Sequence, residues 1–474
     1  MELDYKIKPW EHQIEGIKRA LSQRDFAFFF EMGAGKTSTT INVLRHKYAE
    51  ASRIMRTLVL CPVVVCENWR REFFAHSGVG PYCIVLSGSE KKRLKTFELH
   101  KNAKPSPIFV TNYEALNMKN LLQEFLSWRP EILICDESQR LKNPEAKRTK
   151  YAAMLADLTT HNYILSGTPI LNTPMDIFGQ YRVLDRGETF GRNFVKFRAK
   201  YFFDENAGMP KQSHFPKWEA RGGIIDTFNE LIYQKAMRVL KQDCLDLPDL
   251  VRTVIPVELG LEQKRLYEEM RKEFIAYLKN GEAVVAQIAI TKALRLQQLV
   301  SGYAKTESGE EISLKDNPRN AALEELLDDI IPRSEKVIVW SCFHENYAQI
   351  AAICRKLGLA YSELHGGVRG ADRQGNIDRF QQDPACRVMI ANQGAGGVGV
   401  NLTAASYSIF YSRNFSLEQD LQAEARNHRG GSEIHQKITR IDLVASGTID
   451  ELIVDALKNK LDLSEKILAL KDKL

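Results

Sequence analysis

Short apolar runs rich in β-branched residues recur along this chain, separated by stretches of helical length. The runs span residues 57–61, 108–111, 132–136 and 163–166 in the first half, and 337–340, 388–391, 408–411 and 438–444 in the second. Such runs alternating with helices are typical of parallel sheets with crossover helices. The two groups lie roughly 170 residues apart, which is too far for one ordinary domain. The pattern therefore predicts an α/β protein with two parallel-sheet lobes.

The residues between the two groups have a different character. They are helix-rich and aromatic, with basic clusters at 192–200 and 238–241 and proline punctuation at Pro248 and Pro256. We read this region as a helical insertion followed by a linker. A capping box formed by Thr448 and Glu451 then opens a C-terminal amphipathic helix, which is either a brace packed on the second lobe or a partner-binding helix. The predicted segments are 1–178 (first lobe, ATP-binding), 179–260 (helical insertion and return to the first lobe), 261–330 (helical linker), 331–447 (second lobe) and 448–474 (bracing helix).

Composition narrows the class of protein. The 474 residues carry 66 Lys and Arg against 60 Asp and Glu, so any nucleic-acid surface must come from the placement of charges and not from a basic composition. The longest uncharged run, 388–412, contains Asn, Gln, Ser and several glycines, which no membrane helix would have. The N-terminus lacks a signal layout, and the eight cysteines include no C-x-x-C pair. We expect a cytoplasmic protein with reduced thiols.

The sharpest motif is GAGKT at residues 33–37, after the apolar run 26–30 and before a helical stretch. Glycines allow backbone N–H groups to close around phosphate oxygens, and a helix N-terminus adds positive potential. Lys36 is expected to reach the β- and γ-phosphates, and the Thr37 hydroxyl to hold Mg²⁺. Phe30 stands where the full phosphate-loop pattern requires glycine, so a chance Gly-Lys-Thr in a basic loop is the alternative.

A second motif is ILICDE at residues 132–137, an apolar strand that ends in two adjacent carboxylates. This arrangement fits the metal-holding strand of a phosphate-loop enzyme. Asp136 is expected to bind Mg²⁺, and Glu137 to orient and deprotonate the attacking water. An isolated Asp-Glu pair is often only a solvated turn, but its position one lobe-length after the phosphate loop favours ATP hydrolysis.

A third group lies downstream in QAEARNHRGG, with Gln422, Arg426 and Arg429. Arginines three apart share one helical face, and guanidinium groups suit the charge of a transferring phosphoryl group. An ordinary basic helix face is the alternative for such a pair. Because the second lobe has no phosphate loop of its own, we expect these arginines to complete the site of the first.

One motif argues for a different enzyme class. Residues 394–399 satisfy the dinucleotide pattern G-x-G-x-x-G after a strand, and Glu418 lies near the expected distance for a ribose contact. Only about eight residues separate Gly399 from the next apolar strand, fewer than a βαβ crossover needs. A dinucleotide-binding oxidoreductase is therefore disfavoured.

Taken in order, these motifs resemble those of the Swi/Snf-related motors of helicase superfamily two, over nearly the whole chain. In the first lobe the resemblance lies in IKPWEHQIEGI, EMGAGKT, LVLCPVVVCENWRREFF, VTNYEAL, CDESQRLKNPEAKRTK and LSGTPILNTPMDIF. In the second it lies in KVIVWSCFHENYAQI, LHGGVRGADRQ, ANQGAGGVGVNLTAA and LQAEARNHRGG. Two positions depart from the family: Gln139 stands where it usually has His, and Ser432 where it often has Gln.

The resemblance implies two RecA-like lobes and a DNA-dependent ATPase that uses ATP and Mg²⁺. It also implies movement along double-stranded DNA by a monomer. The chain is similar in its compact form to members of the family from bacteria and phages. By motif position, the implied ATP-binding residues are Gln13, Gly33, Ala34, Gly35, Lys36, Thr37, Ser38 and Gly399. The implied coupling residues are Gln139, Ser166, Gly167, Thr168 and Gln422. The implied DNA contacts are Thr111, Lys142, Ser341, His365, Asn392 and Gln393, each of which could equally pack or cap.

Two other functions remain open on the sequence: a strand-separating DNA or RNA helicase, and a nucleic-acid-binding scaffold whose ATPase has decayed. Every predicted catalytic position holds the residue type that the chemistry requires, which disfavours decay. No strand-splitting element is evident, which favours movement along an intact duplex, with a location in the cytoplasm or on the nucleoid. A protein partner is not readable from the residues, and Trp69 and Trp340 are predicted core residues rather than base-stacking platforms.

Overall fold

The computed structural model describes residues 4–167, 169–170, 173–208, 216, 218–244, 247–279, 286–305, 311–314, 317–396 and 400–458. The chain divides into two compact units, Met1–Leu245 and Asp246–Leu474. Each unit contains one parallel sheet flanked by helices.

The first unit is built on a seven-stranded sheet of order β3-β4-β2-β5-β6-β1-β9, in which every pair is parallel. Its strands are β1 Phe26–Phe30, β2 Thr57–Cys61, β3 Cys83–Val85, β4 Ile108–Asn112, β5 Ile132–Asp136, β6 His161–Leu165 and β9 Ala236–Val239, and β7 Phe202–Asp204 pairs with β8 Trp218–Ala220 as an antiparallel hairpin. Its helices are α1 Glu11–Leu21, α2 Lys36–Glu50, α3 Cys66–His76, α4 Glu90–His100, α5 Lys119–Trp128, α6 Lys147–Ala156, α7 Ile177–Leu184, α8 Phe194–Tyr201 and α9 Ile224–Gln234. The central strands β1, β2, β4 and β5 are buried at every position, as expected of a parallel sheet covered on both faces.

The second unit is built on a six-stranded parallel sheet of order β10-β17-β16-β13-β15-β14. Its strands are β10 Asp249–Val257, β13 Lys336–Trp340, β14 Ala360–Leu364, β15 Cys386–Ala391, β16 Ala405–Phe410 and β17 Lys437–Ala445, and β11 Tyr303–Lys305 pairs with β12 Glu311–Ser313 as a hairpin. Its helices are α10 Leu261–Lys279, α11 Ala286–Val300, α12 Pro318–Glu325, α13 His344–Lys356, α14 Gly370–Gln382, α15 Gln393–Gly396, α16 Leu417–Glu424 and α17 Ile449–Lys458.

These two sheets confirm the predicted fold class, and each of the eight apolar runs coincides with a strand, although the runs 163–166 and 408–411 each extend one residue beyond it. The segment boundaries differ in one respect. The return to the first unit ends with β9, whereas Asp249–Val257 joins the second sheet beside β17, so the predicted boundary at residue 260 lies too late. The inserted region also contains the β7–β8 hairpin besides its helices. The roles assigned to the insertion and the linker remain predictions.

The C-terminal helix begins where the capping box predicted. In α17, Ile449, Ile453 and Leu457 are buried in a cluster that α10 and α11 also line. The predicted bracing segment continues to residue 474, and its residues 459–474 lie outside the described part of the chain. Within the described residues, none of the helices is long and apolar enough to cross a membrane.

Candidate functional site

The loop between β1 and α2 has the backbone of a phosphate-binding turn. Gly33 and Gly35 have positive φ angles of 90° and 77°, and Gly35 is the residue from which α2 starts. A Cβ atom on Gly35 would lie 1.9 Å from Gln13 Nε2, so this turn admits only glycine. The N-terminus of α2 therefore opens on a glycine turn, the kind of helix start whose backbone N–H groups bind anions.

Lys36, Thr37 and Ser38 form the first turn of α2 and are half-buried. The Lys36 ammonium donates to the carbonyl oxygen of Phe30 at 2.9 Å and lies 3.5 Å from that of Glu31. This fold-back keeps a cation beside the turn. A cation, a helix N-terminus and a glycine turn together fit the phosphate groups of a nucleotide.

Helix α1 is fixed to this turn through two side chains. Gln13 accepts a hydrogen bond from the Trp10 N–H at 2.9 Å, and its Nε2 donates to Ser38 Oγ at 3.2 Å. His12 Nε2 donates to the carbonyl oxygen of Ala34 at 2.9 Å. The sequence reasoning predicted Gln13 at this site and missed His12, whose only signal was its place beside Gln13.

The second motif lies at the carboxyl end of β5, between strands β2 and β6. Asp136 is 5% exposed, and its carboxylate accepts hydrogen bonds from Trp69 Nε1 and from the Glu137 N–H, each at 2.9 Å. Tyr113 donates its hydroxyl hydrogen to the Asp136 carbonyl oxygen at 2.7 Å. These contacts hold the carboxylate in one orientation and leave lone pairs for a further ligand. Together with the Thr37 hydroxyl, it is an oxygen donor of the kind that Mg²⁺ prefers.

Burial and, second to it, the nearby negative charge of Glu137 raise the pKa of Asp136 to about 6. The Trp69 N–H and the positive charge of Lys36 both act to lower it. Lys36 is thus within electrostatic range of Asp136, which joins the two motifs in one site.

Replacing Trp69 by Phe is expected to impair the enzyme most at low pH. The substitution removes a hydrogen bond to the ionised carboxylate, so the pKa of Asp136 rises and the ligand form is lost at a higher pH. A hydrogen bond to a charged group corresponds to about 1 pH unit. The acidic limb of the kcat/KM profile for ATP hydrolysis should therefore move up by about that amount. Trp128→Phe is the matched control, since Trp128 donates only to the Lys101 carbonyl. An unshifted acidic limb would show that Trp69 does not tune Asp136.

A chain of hydrogen bonds runs from Glu137 to Ser166, the residue that follows strand β6. Glu137 has a left-handed backbone with φ of 51° and is 8% exposed. Gln139 Nε2 donates to Glu137 Oε2, and Ser166 Oγ donates to Gln139 Oε1, both at 2.7 Å. The amide of Gln139 therefore bridges the two motifs at the position where the family usually has His. Gly167 follows in the same turn, while Thr168 lies outside the described residues.

The second unit places Arg426 and Arg429 together, although not on a helical face. Helix α16 ends at Glu424, so both arginines lie in the turn that follows it, which corrects the predicted helical arrangement. Their Nη1 atoms both lie near the carbonyl oxygen of Val400, at 3.2 and 3.4 Å. Two guanidinium groups thus converge through the turn. Gly399, a predicted nucleotide contact, lies outside the described residues.

Helix α16 is held on the sheet by a buried ionic network. Arg440 of β17 donates to Asp420 and Glu424, at 2.9 Å each. Between these two carboxylates on the helix, Gln422 is buried and donates to Glu418 Oε1 at 3.1 Å. The network fixes the end of α16 from which the arginine turn begins.

Several predicted DNA contacts lie at or just after the carboxyl ends of strands, the edge where ligands of parallel α/β sheets bind. Three of them are fully buried, at 0% exposure: Thr111, Ser341 and Gln393. Thr111 accepts from Arg93 at 2.7 Å and donates to the Leu86 carbonyl, and Ser341 contacts Ser412 at 2.8 Å. Their side chains serve internal contacts here, so a direct DNA contact by these three is not supported.

The other three predicted contacts are more open or belong to a polar cluster. Lys142 is half-buried after the turn that follows Glu137. Asn392 Nδ2 donates to the Tyr347 hydroxyl at 2.7 Å, and His365 stacks on the Tyr347 ring with centroids 4.2 Å apart. Burial lowers the pKa of His365. Tyr347, which contacts both Asn392 and His365, was not predicted from the sequence.

A phosphate-binding turn and paired carboxylates at the edge of one parallel sheet, followed by a second parallel-sheet unit with paired arginines, define a helicase-type nucleoside triphosphatase. Residues 12–302 match the SNF2-related domain, and residues 319–431 match the helicase conserved C-terminal domain. The chain belongs to the SNF2-related family. This confirms the family and the enzyme class predicted from the sequence, a DNA-dependent ATPase.

Similar proteins cover almost the whole chain. Chromodomain-helicase-DNA-binding protein 1-like of Danio rerio is 27% identical over 96% of the chain and 44% of its own length. An uncharacterised ATP-dependent helicase of Mycoplasma genitalium is 25% identical over 97% of the chain and 42% of its own length. The chain thus spans less than half of either relative. The solved SWI2/SNF2 ATPase core of Sulfolobus solfataricus in complex with double-stranded DNA has 22% identity and a TM-score of 0.44, over 100% of this chain and 96% of that one.

Proposed function

We propose that this chain is an ATP-driven translocase on double-stranded DNA that remodels DNA or protein–DNA complexes. The observation that carries the proposal is the joint site of the first unit, where Lys36 lies within electrostatic range of Asp136 beside the glycine turn. Family membership supports a DNA-dependent motor, and movement along an intact duplex is the finer step that we add.

In this proposal the turn from Gly33 to Ser38 binds the phosphates of ATP through its backbone N–H groups and Lys36. Thr37 and Asp136 hold the Mg²⁺ of MgATP, which neutralises phosphate charge when it is bound. Glu137 orients the attacking water and accepts its proton.

Arg426 and Arg429 of the second unit stabilise the charge on the transferring phosphoryl group. Hydrolysis therefore requires residues of both units. Since one chain supplies every residue of this set, we propose that it works as a monomer.

Coupling to DNA runs through the hydrogen-bond chain Ser166–Gln139–Glu137 in the first unit, with Gln422 beside the arginine turn in the second. A shift of the segment that holds Ser166 changes the orientation of Glu137 through the Gln139 amide. Motion follows only if ATP binds the closed arrangement better than the open one. Gly167 and Thr168 complete the proposed coupling set by their position in the motifs, whereas Gly399 belongs to the proposed ATP-binding set.

The grip on DNA is proposed to be sequence-independent, through phosphate contacts. Three residues remain candidates for direct contact because none of them is fully buried: Lys142, His365 and Asn392. Lys142 also lies outside the cluster around Tyr347. Association with DNA would place the protein on the nucleoid if the chain is bacterial or phage-encoded.

The test is steady-state ATP hydrolysis with no nucleic acid, single-stranded DNA, double-stranded DNA and duplex RNA, at two salt concentrations. We expect strong stimulation by duplex DNA that weakens with salt, because phosphate contacts are screened. Lys36→Ala is the control for contaminating ATPase and should show no turnover with any nucleic acid. Stimulation mainly by single strands would replace the proposal with an unwinding helicase, and displacement of a triplex-forming strand would then separate translocation from unwinding.

A further inference from the structure

One stretch of the first unit, which lies in the predicted insertion, carries a clear net positive charge. Residues 192–221 contain seven Lys and Arg against three Asp and Glu, a net charge of +4 in a chain whose total is +6. This stretch contains helix α8 and the β7–β8 hairpin. Charge asymmetry of this kind is a sequence sign of contact with a polyanion.

The basic residues of α8 are held on an exposed face because its aromatic residues are packed inward. Phe197 and Tyr201 are 2% and 4% exposed within the main core of the unit. Lys196 and Lys200, four residues apart on the helix, are both exposed. In the described part of the chain, neither ammonium has a carboxylate within ion-pair distance.

A cation–π contact braces the same helix. The Arg198 guanidinium lies 4.1 Å from the centre of the Trp218 ring, on the hairpin strand β8. Arg221, directly after that strand, donates from Nη2 to the Ala199 carbonyl oxygen at 3.3 Å. The acidic residues of the stretch, Asp204, Glu205 and Glu219, belong to the hairpin and not to α8.

Helix α8 packs on the end of α7 that faces the proposed catalytic edge. Phe178, near the start of α7, has its ring centroid 4.7 Å from that of Phe197 and 5.3 Å from that of Phe194. Gln180, two residues further along α7, accepts from Ser138 Oγ at 2.7 Å, next to Glu137. The basic helix is thus connected through one short helix to the carboxyl edge of the sheet.

We infer that Lys196 and Lys200 on α8 form a phosphate-binding surface for the backbone of duplex DNA, separate from the motif residues at the strand ends. Two exposed ammonium groups on one rigid helix face suit phosphate oxygens as point charges and read no sequence. This inference rests on the proposed function and adds to it a site within the insertion.

The test compares Lys196→Ala/Lys200→Ala with the wild type in the full chain, by fluorescence anisotropy of a labelled duplex over a series of salt concentrations. Loss of two phosphate contacts should reduce the slope of log K against log salt by about 1.8 in magnitude. At 0.1 M salt this corresponds to binding weaker by about 10- to 100-fold. The DNA concentration for half-maximal ATPase stimulation should rise, while the ATPase rate without DNA stays unchanged.

The matched control is Lys91→Ala/Lys95→Ala. These lysines are also exposed and four residues apart, on α4 of the same unit, where acidic residues intersperse the helix. The control should keep the wild-type slope of log K against log salt. Lys196→Glu/Lys200→Glu should reduce the magnitude of this slope more than the alanine variant does.

Equal slopes for all variants and wild type would overturn the inference while leaving duplex binding intact. Absence of duplex binding by the wild type would instead overturn the proposed function. A loss of slope in both the α8 and the α4 variants would also contradict the inference, because it would reflect total charge and not this face. Binding of wild type to anionic vesicles, lost in the α8 variant with DNA binding unchanged, would assign the surface to lipid headgroups.

Discussion

Glu137→Gln should lower kcat for ATP hydrolysis by about 10²- to 10⁴-fold while ATP binding is retained, the range typical of a lost general base. The amide keeps the size of the side chain and can still accept from Gln139 Nε2, which now lies 2.7 Å from Glu137 Oε2. It cannot accept the proton of the attacking water. We expect the glutamine variant to keep the left-handed backbone that residue 137 has in the wild type, so the local geometry should survive.

The measurement is single-turnover hydrolysis together with equilibrium binding of a fluorescent ATP analogue. Glu131→Gln is the control, because Glu131 directly precedes the same strand at its opposite end and pairs with Arg53 at 2.9 Å. This control should lose some stability and keep its kcat. Normal hydrolysis by Glu137→Gln would show that another group takes the proton, and the assignment of the base would be wrong.

The part of the site that could be predicted from the sequence is the part fixed by local chain geometry. The run 132–136 is apolar at every position except its last, so it forms a buried strand that delivers Asp136 to an edge. A glycine turn between a strand and a helix likewise has few possible conformations. Each motif is formed by about ten consecutive residues, so a sequence pattern is enough to predict its structure.

The burial of the predicted DNA contacts could not be read from the sequence, because it depends on residues distant in the chain. Thr111 is covered by Arg93, and Ser341 contacts Ser412, 71 residues further along. A small polar residue at a strand end has the same pattern whether it faces solvent or an internal partner. The same limit hid the contact of Trp69 with Asp136, because Trp69 reaches the end of β5 from helix α3, 67 residues earlier in the chain.

Strand β10 shows how a local pattern can mislead about long-range pairing. Its residues 249–257 include Pro256 and are mostly exposed, so they lack the buried run that marked the other strands. The strand forms because it pairs along its whole length with β17, from Asp249 opposite Lys437 to Val257 opposite Ala445. It lies at the edge of the sheet, where proline and exposure are tolerated.

Alanine at Arg426 or Arg429 should lower kcat by about 10³-fold or more with ATP and DNA binding retained, if these guanidinium groups stabilise the transferring phosphoryl group. The arginine turn lies after α16 and not on it, so the two side chains converge by the path of the turn, near the Val400 carbonyl. Lysine at either position should restore little activity, because an ammonium lacks the planar fork that meets several phosphoryl oxygens at once. The effect should be in kcat and not in KM, since the contact forms in the transition state.

Arg387→Ala is the control that separates catalysis from folding. Arg387 is also a buried guanidinium of the second unit, 5% exposed, and it donates to the Leu327 and Ile331 carbonyls at 2.6 and 2.8 Å. Its loss leaves buried carbonyls without donors, so it should lower the Tm while the folded fraction keeps its kcat. The arginine-turn variants should lose kcat in their folded fraction as well, whatever Tm they lose with the contact to the Val400 carbonyl. A kcat within tenfold of wild type for both Arg426→Ala and Arg429→Ala would show that the arginine turn of the second unit takes no part in the chemistry.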